Sequence, residues 1–290
     1  MGIRDGHELV GIQLITAIAM KDVEGVPFLQ WCLPRLQLCW PGYRKVRRQV
    51  YKRIQQRLQS LGLVSLADYQ TYLETHPEEW PVLDSSCWIP ISRFYRDKGV
   101  FLFLEQDVMP HLARQISANG GGVLRCWSLG CASGEEPYSL SLLWTLKLQT
   151  QYPAVRLVIL GTDIDQRAIA RAQRGCYPLS SLRDLQDTWR AQGFDQTSEG
   201  FWIKPEFRDP LIFLEQDIRQ ATPEETFHLI LCRYLPFTYF DAPLQSNTLR
   251  RIVERMHRGG ALVVGSRETL PNGEFGLIPW SAKNGVYRRA

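Results

Sequence analysis

From about residue 123 onwards, the sequence alternates short apolar runs with helical segments, and this alternation constrains the fold more than any other feature. Five runs have the length and composition of buried strands: residues 123–129, 156–162, 211–214, 228–232 and 261–265. Helices are predicted at residues 137–149 and 165–174. Strands separated by helices are typical of a parallel sheet covered on both faces. We therefore predict an α/β fold with a Rossmann-like, doubly wound sheet.

Three segments of this region fit the alternation less simply. Residues 193–209 place Trp202 and Phe207 among polar residues, which predicts a small β hairpin inserted between βα units. The pair Gly259-Gly260 predicts a turn that enters the last parallel strand. Residues 277–289, with Gly285 at a turn, are predicted to close the sheet with an antiparallel hairpin.

The amino-terminal part has a different, helical pattern. Residues 9–84 are poor in glycine, and within residues 43–60 an apolar residue recurs every four positions, at Val46, Val50, Ile54 and Leu58. Ser65 is a candidate cap for a second helix over residues 65–75. We predict a helical domain over residues 1–84 and an α/β domain over residues 85–290, with a small β subdomain near residues 193–209.

The helix predicted at residues 43–60 carries a run of cationic side chains with no acidic residue between them. They are Arg44, Lys45, Arg47, Arg48, Lys52, Arg53 and Arg57. They form either a solvated face or a docking surface for an acidic protein. Nucleic acid is a less favoured partner, because no aromatic residues interleave the charges and the formal net charge of the chain is only +4.

Composition argues against several other classes of protein. The apolar stretch at residues 9–20 is shorter than the roughly 20 residues that cross a bilayer, and Asp5 and Glu8 stand where a signal peptide carries positive charge. The seven cysteines include no C-x-x-C pair, and the five histidines form no H-x-x-x-H. We expect a cytoplasmic protein with no membrane insertion, no disulfide framework and no metal site, whose cysteines are small buried residues.

The loop after the first predicted strand carries the strongest chemical signal. Gly130 and Gly134 bracket it, and Glu135-Glu136 precede Pro137 at the start of a helix. Two carboxylates at this position would repel a pyrophosphate and favour a cationic ligand. S-adenosylmethionine fits, because its sulfonium and ammonium groups are both positive. An ordinary tight turn, whose acids are favoured by the helix dipole, is the alternative interpretation.

A second acid lies at the end of the second predicted strand, in Gly161-Thr-Asp-Ile-Asp165. In a doubly wound sheet, an acid at this place can accept hydrogen bonds from both ribose hydroxyls of an adenosine. Asp163 is placed for that role, and Asp165 is predicted to cap the following helix.

Together these segments resemble the CheR-type chemotaxis receptor methyltransferases. The resemblance is carried, in the family's order, by Ser92-Arg-Phe-Tyr-Arg-Asp97, Trp127-Ser-Leu-Gly-Cys-Ala-Ser-Gly-Glu-Glu-Pro-Tyr-Ser139, Gly161-Thr-Asp-Ile-Asp165, Leu231-Cys-Arg-Tyr with Tyr239-Phe-Asp241, and Gly259-Gly260 with Gly265-Ser-Arg-Glu268. It implies a class I S-adenosylmethionine methyltransferase domain behind a helical domain. It also implies methyl transfer to glutamate side chains of an acidic, glutamate-rich protein such as a receptor signalling domain.

The resemblance also implies roles for individual residues. Ser92 and Arg96 would lie at the methionine end of the cofactor, and Glu135 would bind its ammonium group. The remaining cofactor residues would be Gly130 in the loop, Asp163 at the ribose, Asp217 and Ile218 near the adenine, and Arg233 and Tyr234 on the far side of the pocket. Tyr239 aligns with the family tyrosine that faces the target carboxylate, so Arg96 and Tyr239 are the candidate catalytic residues.

The sequence departs from the family pattern at several of these positions. Ser92 replaces a threonine, Tyr95 a phenylalanine and Tyr234 the asparagine of C-R-N, and the segment up to Tyr239 is about one residue longer and contains Pro236. Two alternatives therefore stand beside a protein-glutamate methyltransferase: a non-catalytic scaffold that binds partners, and a methyltransferase with another carboxylate acceptor.

Overall fold

The computed structural model describes residues 22–290, so the apolar stretch at residues 9–20 and the acids Asp5 and Glu8 lie outside the described part. The chain divides into two compact units. The first comprises Lys45–Trp88 and the described residues up to Cys32, and the second comprises Leu33–Arg44 and Ile89–Ala290. The domain boundary predicted after residue 84 stays a prediction.

The helices are α1 (Asp22–Cys32), α2 (Trp40–Tyr43), α3 (Arg47–Leu61), α4 (Leu66–Thr75), α5 (Trp80–Ser86), α6 (Lys98–Phe103), α7 (Met109–Ala118), α8 (Glu135–Leu143), α9 (Gln166–Arg174), α10 (Asp187–Gly193), α11 (Pro205–Arg208), α12 (Pro236–Tyr239) and α13 (Ala242–Glu254). The strands are β1 (Gly122–Leu129), β2 (Val155–Asp163), β3 (Cys176–Tyr177), β4 (Phe194–Thr197), β5 (Gly200–Ile203), β6 (Leu211–Glu215), β7 (Phe227–Cys232), β8 (Met256–Val263), β9 (Leu277–Ser281) and β10 (Val286–Arg289).

The first unit is built from α1, α3, α4 and α5. Val50, Ile54 and Leu58 of α3 are buried, as their four-residue spacing predicts. The helix begins at Arg47 rather than at residue 43, because the chain turns after α2 and Val46 takes the N-cap position. The predicted cap of α4 is confirmed, since the backbone N–H of Asp68 donates to Ser65 Oγ at 3.1 Å.

Three of the predicted basic residues have hydrogen-bonding or ion-pair partners within the first unit. Arg47 pairs with Asp22 at 2.7 Å and Arg57 pairs with the buried Glu79 at 2.6 Å, whereas Arg53 donates to backbone carbonyls. The acidic partners of Arg47 and Arg57 come from distant parts of the sequence, so these two residues contribute less to a cationic face than the run of basic residues suggests. The cationic residues that remain exposed are Arg48 and Lys52 on α3 and Lys45, which lies two residues before the helix begins.

The second unit contains a seven-stranded sheet with the order β6-β2-β1-β7-β8-β10-β9. The first five strands of this order are parallel, and β10 runs antiparallel to both of its neighbours. Buried side chains on β1 and β7, among them Cys126 and Leu229, form its centre. The predicted α/β doubly wound sheet is confirmed, and the carboxyl ends of β6, β2, β1 and β7 meet along one edge.

Two details of the prediction change. Gly259 and Gly260 lie within β8 rather than at its start. At this point the pairing with β7 shifts, because two residues along β7 are matched by five along β8, which forms a bulge. A Cβ at position 260 would lie 2.8 Å from the His257 carbonyl oxygen, so glycine permits this bulge. The hairpin predicted at residues 193–209 forms from β4 and β5, but β3 joins it as a third strand that is too short to produce a periodic pattern.

The predicted antiparallel closure of the sheet is confirmed. Strands β9 and β10 pair antiparallel, and Gly285 between them has a φ of 66°, in the left-handed region that favours glycine. No helix in residues 22–290 is both long and apolar enough to span a membrane.

The cysteines are all free thiols, and they divide by exposure. Cys39 and Cys176 are partly exposed, contrary to the expectation that all would be buried. The other five are buried: Cys32, Cys87, Cys126, Cys131 and Cys232. Within residues 22–290, no three side chains of the metal-binding types cluster.

Candidate functional site

The loop between β1 and α8 forms the floor of the candidate site. Gly130 and Gly134 have φ values of 71° and 88°, which only glycine adopts without strain. A Cβ at position 134 would also lie 2.9 Å from the Cβ of Ala172. The N–H groups of Gly130 and Cys131 donate to the Thr162 carbonyl at 2.8 and 3.0 Å, so the loop is fixed against the end of β2.

Asp163, the last residue of β2, ties this loop to the neighbouring strand. Its Oδ2 accepts a hydrogen bond from the Ala132 N–H at 2.8 Å, and its Oδ1 accepts one from the Asp165 N–H at 2.9 Å. Burial raises the pKa of Asp163, although these backbone donors oppose the shift. Since each carboxylate oxygen has a second lone pair, Asp163 can still accept hydrogen bonds from a ligand. Asp165 caps α9 through the Arg167 N–H at 2.9 Å, which confirms its predicted role.

Glu135, the first residue of α8, is buried and forms no ion pair within residues 22–290, although the charge of Arg171 acts on it from a distance. Its residue surface is only 5% exposed, and its Oε2 has no hydrogen-bond partner. Ser181 Oγ lies 3.5 Å from its Oε1. Burial raises the pKa of Glu135, opposed by hydrogen bonds from its own backbone, Ser92 and Ser181. A buried carboxylate oxygen without a donor indicates that a cationic or N–H group of a ligand belongs there.

Glu136 differs from its neighbour, because its charge is already paired. Arg233 Nη1 contacts Glu136 Oε2 at 2.8 Å, and Ser128 Oγ donates to Glu136 Oε1 at 2.8 Å. The sequence interpretation treated both acids as open to a ligand. Only Glu135 retains that capacity, and Glu136 holds α8 to Ser128 of β1 and to Arg233, the residue that follows β7.

Arg233 also reaches the segment that contains the candidate catalytic arginine. Its Nη2 contacts Asp97 Oδ2 at 2.6 Å and donates to the Arg96 carbonyl at 3.0 Å. The Arg233 side chain is 3% exposed. Other residues of the protein thus occupy both terminal nitrogens, so Arg233 supports the structure around the pocket. Its place on the far side of the cofactor pocket stays a prediction.

The segment Ser92–Asp97 is anchored by two buried aromatic residues. The Phe94 N–H donates to the Ser181 carbonyl at 3.0 Å, and the Tyr95 N–H donates to Ser139 Oγ at 3.0 Å. Phe94 is fully buried, and its ring meets the ring of Tyr177 edge-on at 4.9 Å. These contacts bring Ser92 within hydrogen-bonding distance of Glu135, and the role of both at one end of a cofactor stays a prediction.

The two candidate catalytic residues also influence each other. Arg96 donates from Nη1 to the Ile91 carbonyl at 2.6 Å, and its guanidinium carbon lies 4.3 Å from the centre of the Tyr234 ring. Tyr239 ends α12, and its ring lies 5.0 Å from that of Tyr43. Burial raises the pKa of the Tyr239 hydroxyl, and the positive charge of Arg96 opposes that rise. The positive charge of Arg96 is thus close enough to the Tyr239 phenol to act on it electrostatically.

Asp217 and Ile218 follow β6, at the same edge of the sheet as Asp163. The Gln216 N–H donates to the Asp163 carbonyl at 2.9 Å, which places this turn beside the end of β2. The Asp217 carboxylate binds the side chain of Arg219 at 3.0 Å, and Ile218 is 7% exposed. A ligand here would meet the apolar Ile218 and a carboxylate that is already paired.

Glu268 is a further site residue that was noted in the sequence only as part of a motif. Its Oε2 accepts hydrogen bonds from the N–H groups of Tyr234 and Gly265, each at 2.7 Å, and its Oε1 accepts one from Thr238 Oγ1 at 2.5 Å. Burial raises the pKa of Glu268 in spite of these donors. Glu268 thus fixes the backbone at Tyr234 and at Gly265 and the side chain of Thr238.

Four non-glycine residues of this region have left-handed backbone conformations. Their φ values are 55° at Tyr95, 64° at Asp97, 49° at Ala132 and 57° at Tyr234. Each such residue costs on the order of 1–3 kcal/mol and persists only where its surroundings hold it. The site is therefore a strained edge on a well-packed sheet.

These features fit the cofactor that the sequence predicts. The unpartnered Oε2 of Glu135 suits an ammonium group, and Asp163 has free acceptor positions for hydroxyl groups. The glycine loop lies between them and brings backbone N–H groups close to the edge of the sheet.

Comparison with known proteins agrees with this geometry. The profile described as "CheR methyltransferase, SAM binding domain" matches residues 91–283, and the "CheR methyltransferase, all-alpha domain" profile matches residues 45–83. A "Chemotaxis protein methyltransferase" of Listeria monocytogenes is 30% identical over 235 residues, which cover 79% of this chain and 86% of that protein.

Two further relatives have the same kind of name. The "Chemotaxis protein methyltransferase" of Listeria innocua is 29% identical over 79% of this chain and 86% of its own length. "Chemotaxis protein methyltransferase 2" of Pseudomonas aeruginosa is 28% identical over 76% of this chain and 77% of its own length. With the family profile matched over most of its length, the chain belongs to the CheR methyltransferase family and is an S-adenosylmethionine-dependent methyltransferase of the chemotaxis type.

Proposed function

We propose that this methyltransferase esterifies glutamate side chains of an acidic, glutamate-rich protein of the chemoreceptor signalling class, and that it acts in the cytoplasm. The observation that carries the proposal is that Arg96 packs on the Tyr234 ring while Glu268 binds both the Tyr234 N–H and the hydroxyl of Thr238, the neighbour of Tyr239, so that a guanidinium and a phenol are held at the same end of the site. A guanidinium and a phenol together suit a carboxylate acceptor. The names of the relatives, which are chemotaxis protein methyltransferases, agree with such an acceptor.

In this proposal the cofactor lies along the carboxyl edge of the sheet. S-adenosylmethionine supplies a methyl group on a positively charged sulfur. Glu135 binds the ammonium group, Ser92 and Arg96 orient the methionine end, and Asp163 binds the ribose hydroxyls. Gly130 allows close approach of the loop, Asp217 and Ile218 border the adenine, and Arg233 and Tyr234 close the far side.

The acceptor needs alignment rather than activation. A glutamate carboxylate is ionised at pH 7, so no strong general base is required. Arg96 can orient the methionine end or hold one acceptor oxygen in place, and Tyr239 can donate to one oxygen while the other remains the nucleophile. Alignment of this kind, with water excluded, supplies a large part of the rate enhancement.

The exposed basic residues of α3 are the proposed docking surface for the acceptor. Arg48 and Lys52 are exposed on α3 and Lys45 is exposed just before it, and long-range attraction to an acidic protein would increase the rate of association. Nucleic acid remains the less favoured partner, since the basic residues are not interleaved with aromatic ones.

The first test measures cofactor binding with a matched pair of variants. Calorimetry with S-adenosylhomocysteine should give a Kd for the parent that rises about tenfold in Asp163→Asn, because a charge-assisted hydrogen bond to ribose is lost. Asp165→Asn should bind as the parent does, since Asn also caps helices. Equal affinities for Asp163→Asn and Asp165→Asn would reject the placement of the ribose.

The second test measures methyl transfer. Labelled methyl groups should pass from S-adenosylmethionine to a receptor fragment with glutamate-rich helices and should be released as methanol by base, as an ester requires. Arg96→Ala should reduce turnover about 100-fold, and Arg96→Lys should recover little, because an ammonium group lacks the planar fork. Transfer to a small carboxylic acid but to no protein would favour the alternative acceptor class, and a fully active Arg96→Ala would refute the role of Arg96.

A further inference from the structure

Tyr234 is the residue at which this site departs most from the family pattern that its sequence resembles. Its φ of 57° lies in the left-handed region, where asparagine is tolerated much better than a bulky aromatic residue. A strained tyrosine persists only where its contacts outweigh the strain. The contacts of Tyr234 therefore indicate what the ring does.

The ring and the hydroxyl of Tyr234 contact two adjacent residues of the Ser92–Asp97 segment. The guanidinium carbon of Arg96 lies 4.3 Å from the ring centre, and the Tyr234 hydroxyl donates to Asp97 Oδ2 at 2.6 Å. The backbone of Tyr234 is fixed as well, since its N–H donates to Glu268 Oε2 at 2.7 Å. Tyr234 thus connects α12 and the end of β8 to the segment of the candidate catalytic arginine.

The space for the ring depends on a glycine at the end of β8. A Cβ at position 265 would lie 2.4 Å from Tyr234 Cε1 and 2.7 Å from its Cδ1. The φ of Gly265 is not positive, so backbone conformation does not require glycine there. Gly265 is needed because the tyrosine ring occupies the volume that a side chain would fill.

We infer that Tyr234 is a positioning residue for Arg96: its ring face fixes the direction of the guanidinium by a cation–π contact, while its hydroxyl fixes Asp97. The inference rests on the proposed role of Arg96 at the methionine end of the cofactor. Arg96 has one other anchor, the Ile91 carbonyl, which holds a single nitrogen and leaves the plane of the guanidinium free to rotate about that hydrogen bond. The ring face of Tyr234 supplies the missing constraint.

The first experiment observes Arg96 without any cofactor. In nitrogen-15 spectra, the Arg96 Nε–H signal, assigned by its loss in Arg96→Lys, should be shifted by the ring current of Tyr234. The shift should persist in Tyr234→Phe, which keeps the ring, and should disappear in Tyr234→Leu. Tyr234→Asn, which tolerates the left-handed φ, serves the same purpose if Tyr234→Leu does not fold. An unchanged Arg96 signal in a folded variant without the ring would overturn the inference.

The second experiment is a double-mutant cycle on S-adenosylhomocysteine affinity. If Tyr234 acts through Arg96, Tyr234→Leu should raise Kd about tenfold in the parent, as loss of a partly buried cation–π contact does, and should have no effect in Arg96→Ala. Additive effects would mean that Tyr234 acts on the cofactor directly or only through the fold, and either would overturn the inference. A parent that does not bind S-adenosylhomocysteine would instead count against the proposed function, and the spectra would still decide the role of Tyr234.

Discussion

Two adjacent glutamates of α8 have opposite environments. Glu135 is buried with an unpartnered oxygen and a raised pKa, whereas Glu136 is bound by Arg233 and Ser128. A carboxyl group whose pKa is higher in the folded than in the unfolded protein binds protons more readily when folded. Folding stability then falls as pH rises from the unfolded pKa through the folded one. The ionised Glu135 therefore destabilises the cofactor-free protein at neutral pH.

We predict that Glu135→Gln raises the Tm of the cofactor-free protein at pH 7 and weakens S-adenosylhomocysteine binding at least tenfold, because the ammonium group loses its counter-charge. The gain in Tm should shrink as the pH falls through the raised pKa of Glu135 and should vanish below the ordinary glutamate pKa, where the parent carboxyl group is protonated in both states. Calorimetric melts at several pH values measure both trends.

Glu136→Gln is the matched control for that prediction. It should lower the Tm at pH 7, because Arg233, whose side chain is 3% exposed, loses a charged partner. If both substitutions changed the Tm in the same direction, the contrast between a ligand-binding and a structural glutamate would be wrong.

At the residue scale, a role could be predicted when the interacting residues are close together in the sequence. Ser65 and Asp165 were correctly predicted as caps, because a cap acts on a backbone group two or three residues away. The pairing of Arg233 with Glu136 and Asp97 spans 97 and 136 residues. No local pattern encodes such a pair, and only the fold brings its members together.

At the element scale, strands buried on both faces were the easiest to predict. The apolar runs that became β1, β2 and β7 have a composition that solvated elements lack. The prediction failed where an element is short or contains glycine. Strand β3 has two residues, and β8 continues through Gly259 and Gly260, which resemble a turn in the sequence.

Helix α3 carries a prediction about association. Arg48→Glu with Lys52→Glu should slow binding to a glutamate-rich receptor fragment and flatten its dependence on salt, because both side chains are exposed. The affinity for S-adenosylhomocysteine should not change, since neither residue belongs to the proposed cofactor site. Association rates at two ionic strengths provide the measurement.

A charge-matched control separates docking from net charge. Arg156→Glu with Arg258→Glu reverses two exposed residues near the amino ends of β2 and β8, opposite the site edge of the sheet. This variant should associate nearly as the parent does. Equal slowing in both double variants would mean that only the overall charge matters and that α3 is a solvated face.

Across the whole molecule, the sequence predicted the layered α/β architecture and the helical character of the first unit more fully than it predicted the site. Burial and periodicity are properties of continuous segments and can be recognised locally. The site draws Ser92, Glu135, Asp163, Arg233 and Glu268 from separate elements. Their order in the chain identified the family, but their hydrogen bonds follow from the sheet topology.

The left-handed residues Tyr95, Asp97, Ala132 and Tyr234 have a consequence for how the molecule opens. Strain lowers the free energy of local opening, so we expect the backbone N–H groups around residues 92–97 and 130–134 to exchange with deuterium earlier than those of β1 and β7. A ligand at 100 times its Kd stabilises the state that binds it by about 2.7 kcal/mol. S-adenosylhomocysteine should therefore slow exchange in these two segments about 100-fold, whereas exposed N–H groups at the start of α3 should exchange at the same rate with and without it. Cofactor binding would then bring the resistance of this edge to local unfolding towards that of the central strands of the sheet.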